Sequence, residues 1–189
     1  MTDGGSPELE IDKLTSGKVL LIGYGNPGRL DDGLGPALAA EIEQRRIPGV
    51  TVEANYQLTV EDAAAVAECD VVIFADASVD GAEPFFIAPV QPRTDVSFSS
   101  HSVEPAAVLG LARDLFDRRP AAYAVGIRGY EFDEFGERLS ARARANLRAA
   151  VDRVAALLQD ERFRKGLVDP TDSAGACAKE DGTCKTANM

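Results

Sequence analysis

Apolar residues in this chain fall into two kinds of pattern, short unbroken runs and longer stripes at helical spacing, and the two alternate. The stretches read as strands are Val19 to Ile22, Val50 to Asn55, the VVIFA stretch between Asp70 and Asp76, a short piece from Pro84 to Ala88, and Ala121 to Ile127. The VVIFA run, continuous and without polar alternation, is a strand covered on both faces, as in the middle of an α/β sheet. Between the runs, Leu38, Ala39, Ile42 and Ile47 place a helix over about Leu34 to Arg46, stopped by Pro48-Gly49. Thr59 to Asp62 resembles a capping box and opens a short alanine-rich helix ending near Cys69. Ser102 and Pro105 open a third helix, with Val108, Leu111, Ala112, Leu115 and Phe116 as its apolar positions, running to about Arg118. Ser140 is placed as the N-cap of a long last helix striped by Leu147, Ala150, Val151, Val154, Leu157 and Leu158.

Strands alternating with helices predict a three-layer α/β/α domain, hydrolase-like or phosphorylase-like: a mostly parallel sheet of about five strands with helices on both faces. The flanking prolines put the Pro84 to Ala88 strand at an edge, and residues 128–138 read as an ordered loop. Residues 1–16 and 160–189 are rich in Gly, Ser, Thr and acids and are expected to be disordered, leaving 17–159 as the single folded domain.

Composition narrows the partners. The 189 residues carry a formal net charge of −11, which argues against nucleic acid or an anionic membrane surface. No apolar run approaches a membrane span, and the acidic N-terminus lacks a secretory h-region, so a cytoplasmic address is expected. The 3 cysteines, Cys69, Cys177 and Cys184, fit neither a disulfide framework nor a common zinc site and read as free thiols.

Chemistry collects after the first strand, in KVLLIGYGNPGRLDDGLGP (residues 18–36). Gly23, Gly25 and Gly28 spell the glycine run of a dinucleotide site, with Glu53 closing the next strand, so a non-catalytic nucleotide-binding module is the competing reading. Against it, Pro27 removes a donor, and Arg29 to Asp32 intervene before a helix can start. Asp31 and Asp32 would then stand where phosphates must bind. In a parallel sheet the functional crevice lies at the carboxyl ends of the strands. Asp31 and Asp32 follow the end of the first strand and Asp76 closes the third. His101, the chain's 1 histidine, precedes a helix that must begin at that edge if the strand from Ala121 is parallel. Two carboxylates and an imidazole suit Ni, Zn or Fe(II).

The motifs GYGNPGRLDDGLGP, VVIFADA ending in Asp76, His101 before an Ala/Leu-rich helix, and GERLS before the last helix resemble the hydrogenase maturation endopeptidases, which process the large subunit of [NiFe] hydrogenases. The resemblance covers about residues 18–158. It implies a protease of the aspartyl-endopeptidase-like kind that removes the C-terminal extension of a nickel-loaded large-subunit precursor. It also implies that Asp32, Asp76 and His101 contact the nickel held by that precursor, with Asp32 and Asp76 as the catalytic carboxylates. The nickel comes with the substrate, and no organic cofactor is implied. Asp31 is left to hold the loop or, with Asn26, to touch the substrate chain. The chain departs from many members in having Asn55-Tyr56-Gln57 after the second strand and RGYEFDEFGERLS after the fifth, which resembles the branch acting on cytoplasmic, cofactor-reducing hydrogenases.

Overall fold

The computed structural model describes residues 17–93 and 103–171. Strands β1 (Val19–Tyr24), β2 (Val50–Asn55), β3 (Val71–Ser78), β4 (Phe85–Pro89) and β5 (Ala121–Arg128) form one sheet in the order β2-β1-β3-β5-β4. The first four in that order are parallel, and β4 lies antiparallel on β5 at the edge, as its prolines indicate. From β1 the chain steps to β2 on one side and then to β3 on the other. The order therefore reverses between β1 and β3, and a crevice opens outside their carboxyl ends.

The central strands β1 and β3 are buried on both faces, whereas β2 and β4, at the two edges, are only partly buried. Val19 and Leu21 of β1, with Val71, Ile73 and Ala75 of β3, pack on the side covered by α1 (Leu34–Gln44) and α4 (Ala141–Gln159). Leu20 and Ile22, with Val72 and Phe74, pack on the side of α2 (Asp62–Ala67) and α3 (Pro105–Phe116). Two hydrophobic layers thus share one sheet, and strand alternation alone divides the side chains between them. The N-cap of α4 is Ser140, whose hydroxyl accepts from the Ala143 N–H at 3.2 Å.

Two expectations need correction. In α3 the buried positions are Val108, Leu109, Gly110 and Ala112, whereas Leu115 is 68% exposed and Phe116 also faces outward. The helix ends there because Asp117 turns left-handed at φ 51 and its N–H closes back on Ala112 and Arg113. The folded domain also continues past Asp160. Asp160 accepts from the Arg162 N–H at 2.8 Å and caps a short helix α5 (Glu161–Arg164). Phe163 enters the core at 1% exposure beside the Tyr123 ring, 5.5 Å between centroids. Arg164 reaches back to the Gly17 carbonyl at 3.2 and 3.3 Å. One aromatic in a polar stretch leaves no periodicity to read. The stretches 1–16 and 172–189, with Cys177 and Cys184, lie outside the described residues, as does His101.

Phe163→Ala should destabilise the domain by about 3–5 kcal/mol, the usual cost of emptying a buried phenylalanine site. Urea unfolding of the variant checks this, and a loss below about 1 kcal/mol would mean that α5 is only a surface appendage.

Candidate active site

The loop after β1 is built around close approaches. Gly25 sits at φ 133, and a Cβ there would lie 2.1 Å from the Asp32 carbonyl oxygen, so no other residue fits without moving the acid loop. A Cβ on Gly35 would lie 2.2 Å from the Tyr24 carbonyl and 2.4 Å from that of Ala75. The first turn of α1 is therefore pressed directly onto the ends of β1 and β3. Asn26 shapes the turn: its Oδ1 accepts from the Gly28 N–H at 2.9 Å and its carbonyl accepts from the Arg29 N–H at 3.0 Å. A single 3-10 turn (Leu30–Gly33) follows, entered through Leu30 at φ 51. The glycine run thus serves packing and leads into a turn carrying two acids, with α1 starting only afterwards. Nothing in this arrangement supports the nucleotide-binding reading.

The neighbours Asp31 and Asp32 have opposite surroundings. Asp31 is 0% exposed. Its Oδ1 accepts from the Ser140 N–H at 2.7 Å, and its Oδ2 accepts from the N–H groups of Tyr130 (2.8 Å) and Glu131 (3.0 Å) and from the Ser140 hydroxyl (2.8 Å). Burial alone would raise its pKa, but these donors together outweigh that and hold the carboxyl below the usual range. With both oxygens occupied and no exposed surface, Asp31 holds the loop; the alternative contact with a substrate chain is closed to it. Asp32 is only partly buried. Its Oδ2 accepts from the Asn26 N–H at 3.1 Å, and its Oδ1 has no hydrogen-bond partner among the described residues. Asn26 is half-buried and spends its side-chain oxygen within the loop, which leaves its Nδ2 available.

Asp76 lies across the crevice from Asp32, and the two meet at Gly25: a Cβ there would stand 3.7 Å from the Asp76 Oδ1 while striking the Asp32 backbone. The Asp76 Oδ1 accepts from its neighbouring Ala77 N–H at 2.7 Å. Burial, reinforced by the nearby negative charge of Asp32, pushes the Asp76 carboxyl up to about 6, against the pull of the Ala77 N–H and of a hydrogen bond from Tyr24. Tyr24 carries no signal in the hydrophobic pattern. It is the last residue of β1, and the register that pairs Gly23 with Ala75 brings it level with Asp76. Burial and the Asp76 charge push the Tyr24 hydroxyl well above its ordinary range, so it remains a hydrogen-bond donor.

His101 lies outside the described residues. The parallel pairing of β5 with β3 is as expected, and α3 leads into β5, so α3 begins at the carboxyl edge. Glu104, its N-cap, acts electrostatically on Tyr24, which puts the chain three residues beyond His101 within reach of the crevice. Among the described residues no three His, Cys, Asp or Glu side chains are grouped to hold a metal ion. Asp32 and Asp76 bring two carboxylates to this crevice and no third such side chain among the described residues. Two larger cavities, of about 390 and 550 Å³, open instead at the amino ends of the strands around Arg118, Arg119 and Pro120. Their acids, Asp169 in the first and Asp70 and Asp117 in the second, stand among Arg118, Arg119 and other basic residues, and the sheet's switch point is at the other end.

This chain shares its α/β fold with solved [NiFe] hydrogenase maturation proteases. The HycI maturation protease of Thermococcus kodakarensis KOD1 superposes with a TM-score of 0.57 at 20% identity, over 79% of this chain and 99% of that one. The maturating endopeptidase HybD of E. coli gives 0.57 at 22% identity, over 75% and 92%. The hydrogenase 2 maturation peptidase of a Thaumarchaeota archaeon gives 0.55 at 22%, over 75% and 98%. No protein-family model matches the sequence, and no curated protein matches it.

The two perturbed acids should respond to amide substitution with opposite signs. The folded pKa of Asp31 is below its ordinary 3.8, so the stability it contributes is complete above about pH 4 and is lost as pH falls through the folded value. Asp31→Asn sets an amide N–H2 against backbone donors and should cost about 2–4 kcal/mol at pH 7, with the deficit shrinking in acid. Asp76 is raised from 3.8 to about 6, so ionising it costs stability as pH rises across that interval. Asp76→Asn should gain on the order of 1–2 kcal/mol at pH 7–8, allowing for partial exposure, and melt a few degrees higher. Thermal unfolding at about pH 7.5, 4.5 and 2.5 checks both: the Asp76→Asn gain should fade between the first two, and the Asp31→Asn deficit should shrink only at the lowest; destabilisation by Asp76→Asn at the highest pH would contradict the burial argument.

Proposed function

We propose that this chain is the endopeptidase that removes the C-terminal extension from a nickel-loaded [NiFe] hydrogenase large-subunit precursor. The observation carrying this reading is the meeting of Asp32 and Asp76 at Gly25, on the switch point of a fold shared with solved maturation proteases. Asp32 offers a free oxygen while its other oxygen is anchored by the Asn26 N–H. The Asp76 carboxyl, raised to about 6 by burial and by Asp32, is ionised at neutral pH at a cost that a cation held between the two acids would offset. His101, three residues before the α3 cap, is assigned as the nitrogen donor. Such a site needs no resident metal of its own. The nickel belongs to the substrate and supplies Lewis acidity at the scissile carbonyl. Asp32 and Asp76 orient the precursor by that ion, and Asn26, through Nδ2, is assigned to the passing substrate chain. No organic cofactor enters this chemistry. Among the described residues no helix is long and apolar enough to cross a membrane, and the reading places the chain in the cytoplasm with its precursor.

Incubating the chain with a nickel-loaded large-subunit precursor should release the C-terminal peptide, read by intact mass. Asp32→Asn and His101→Ala should each lower the cleavage rate by at least about 100-fold while leaving the melting temperature within a few degrees. Retained cleavage in His101→Ala would return that histidine to a capping or surface role and leave the site without its nitrogen ligand.

A further inference from the structure

A groove of about 290 Å³ runs along the outer side of the acid loop, walled by Pro27, Leu30, Pro36, Ala37 and Leu139, with Glu137 as its one charged lining residue. Gly33, the residue directly after Asp32, forms part of the same wall, so the groove and the catalytic carboxylate share one turn of chain. The volume is at the low end for a small-molecule pocket and suits one or two apolar side chains rather than a cofactor. Beside it, the segment after β5 is stitched to the acid loop: Leu30 N–H donates to the Gly136 carbonyl at 2.9 Å, and Gly136 N–H to the Gly28 carbonyl at 2.8 Å. That stitch holds the segment carrying Phe135, two residues of which, Glu137 and Leu139, line the groove, and the Phe135 side chain is 88% exposed. An exposed aromatic so close in sequence to an apolar groove extends that groove into one patch. Asp133, Glu134 and Glu137 are exposed around it, and none forms an ion pair with a described residue, whereas the neighbouring Glu131 is neutralised by Arg138 at 2.9 Å.

We propose that the groove and the segment carrying Phe135 form the docking surface for the polypeptide substrate, taking an apolar side chain flanked by lysine or arginine. The apolar walls and Phe135 exclude acidic or strongly polar occupants, and the three unpaired carboxylates supply the complement to a basic partner. Aromatic residues including Phe are enriched in interface cores, and the rim around such a core is polar. This inference rests on the endopeptidase reading, since it gives the docked chain a reason to lie beside Asp32.

The test uses the full chain and a nickel-loaded large-subunit precursor, with cleavage kinetics and direct binding measured together at low and high salt. Phe135→Ala, which removes no buried contact, should raise KM about tenfold with kcat within about twofold of wild type. The double variant Asp133→Lys, Glu134→Lys should raise KM similarly and lose the salt dependence that wild-type binding shows. Wild-type cleavage with an unchanged KM in Phe135→Ala, or with binding indifferent to salt, would overturn the docking surface and leave the endopeptidase reading standing. A wild-type chain that neither binds nor cleaves the precursor would overturn both.

Discussion

The carboxylate of Asp31 is sealed from water and accepts four hydrogen bonds, three from backbone N–H groups and one from a hydroxyl, all contributed by the segment between β5 and α4. A buried charge is tolerable only when it is satisfied this fully. The constraint works in both directions. The acid loop cannot move without stranding the charge, and the segment of residues 129–140 cannot move without losing its anchor. Ser140 belongs to both structures, since its hydroxyl bonds Asp31 and its oxygen also caps α4. The loop that presents Asp32 is thereby tied to the longest helix of the domain, and Gly25 and Gly35 let that loop close down on the sheet.

From this follows a separation of labour among three carboxylates that look alike in sequence. Asp31 is stabilised as an anion and contributes structure. Asp32 is held by one N–H and keeps an oxygen without a partner among the described residues. Asp76 is destabilised as an anion by burial and by Asp32, which makes it costly to the fold and therefore a plausible bearer of function on physical grounds. Tyr24 completes the pair from the end of β1. The strained Leu30 and the pressed contact of α1 on β1 and β3 are local costs, and the two hydrophobic layers beneath are large enough to carry them.

Much of this was readable beforehand, for stated reasons. Unbroken apolar runs such as VVIFA report burial on both faces, so the layers and strand positions came out of the pattern, as did the Ser140 cap. The position of Asp32 and Asp76 at one edge followed from parallel topology. Side-chain direction did not follow. Nothing in the pair Asp31-Asp32 says which one points inward, because that depends on donors about a hundred residues further along the chain. Tyr24 depended on strand register, and Phe163 on a contact made by a single residue in a polar stretch. Leu115 and Phe116 fit a helical stripe yet face solvent, since the helix breaks at Asp117 just as they complete it.

The nickel-directed reading is tested most directly by one comparison: the wild-type chain with nickel-loaded and nickel-free forms of the same large-subunit precursor, product measured by intact mass. If Asp32 and Asp76 recognise the precursor through its metal, the loaded form loses its C-terminal peptide and the nickel-free form stays intact. Equal cleavage of the two forms would contradict metal-directed recognition and leave the carboxylates to act without it.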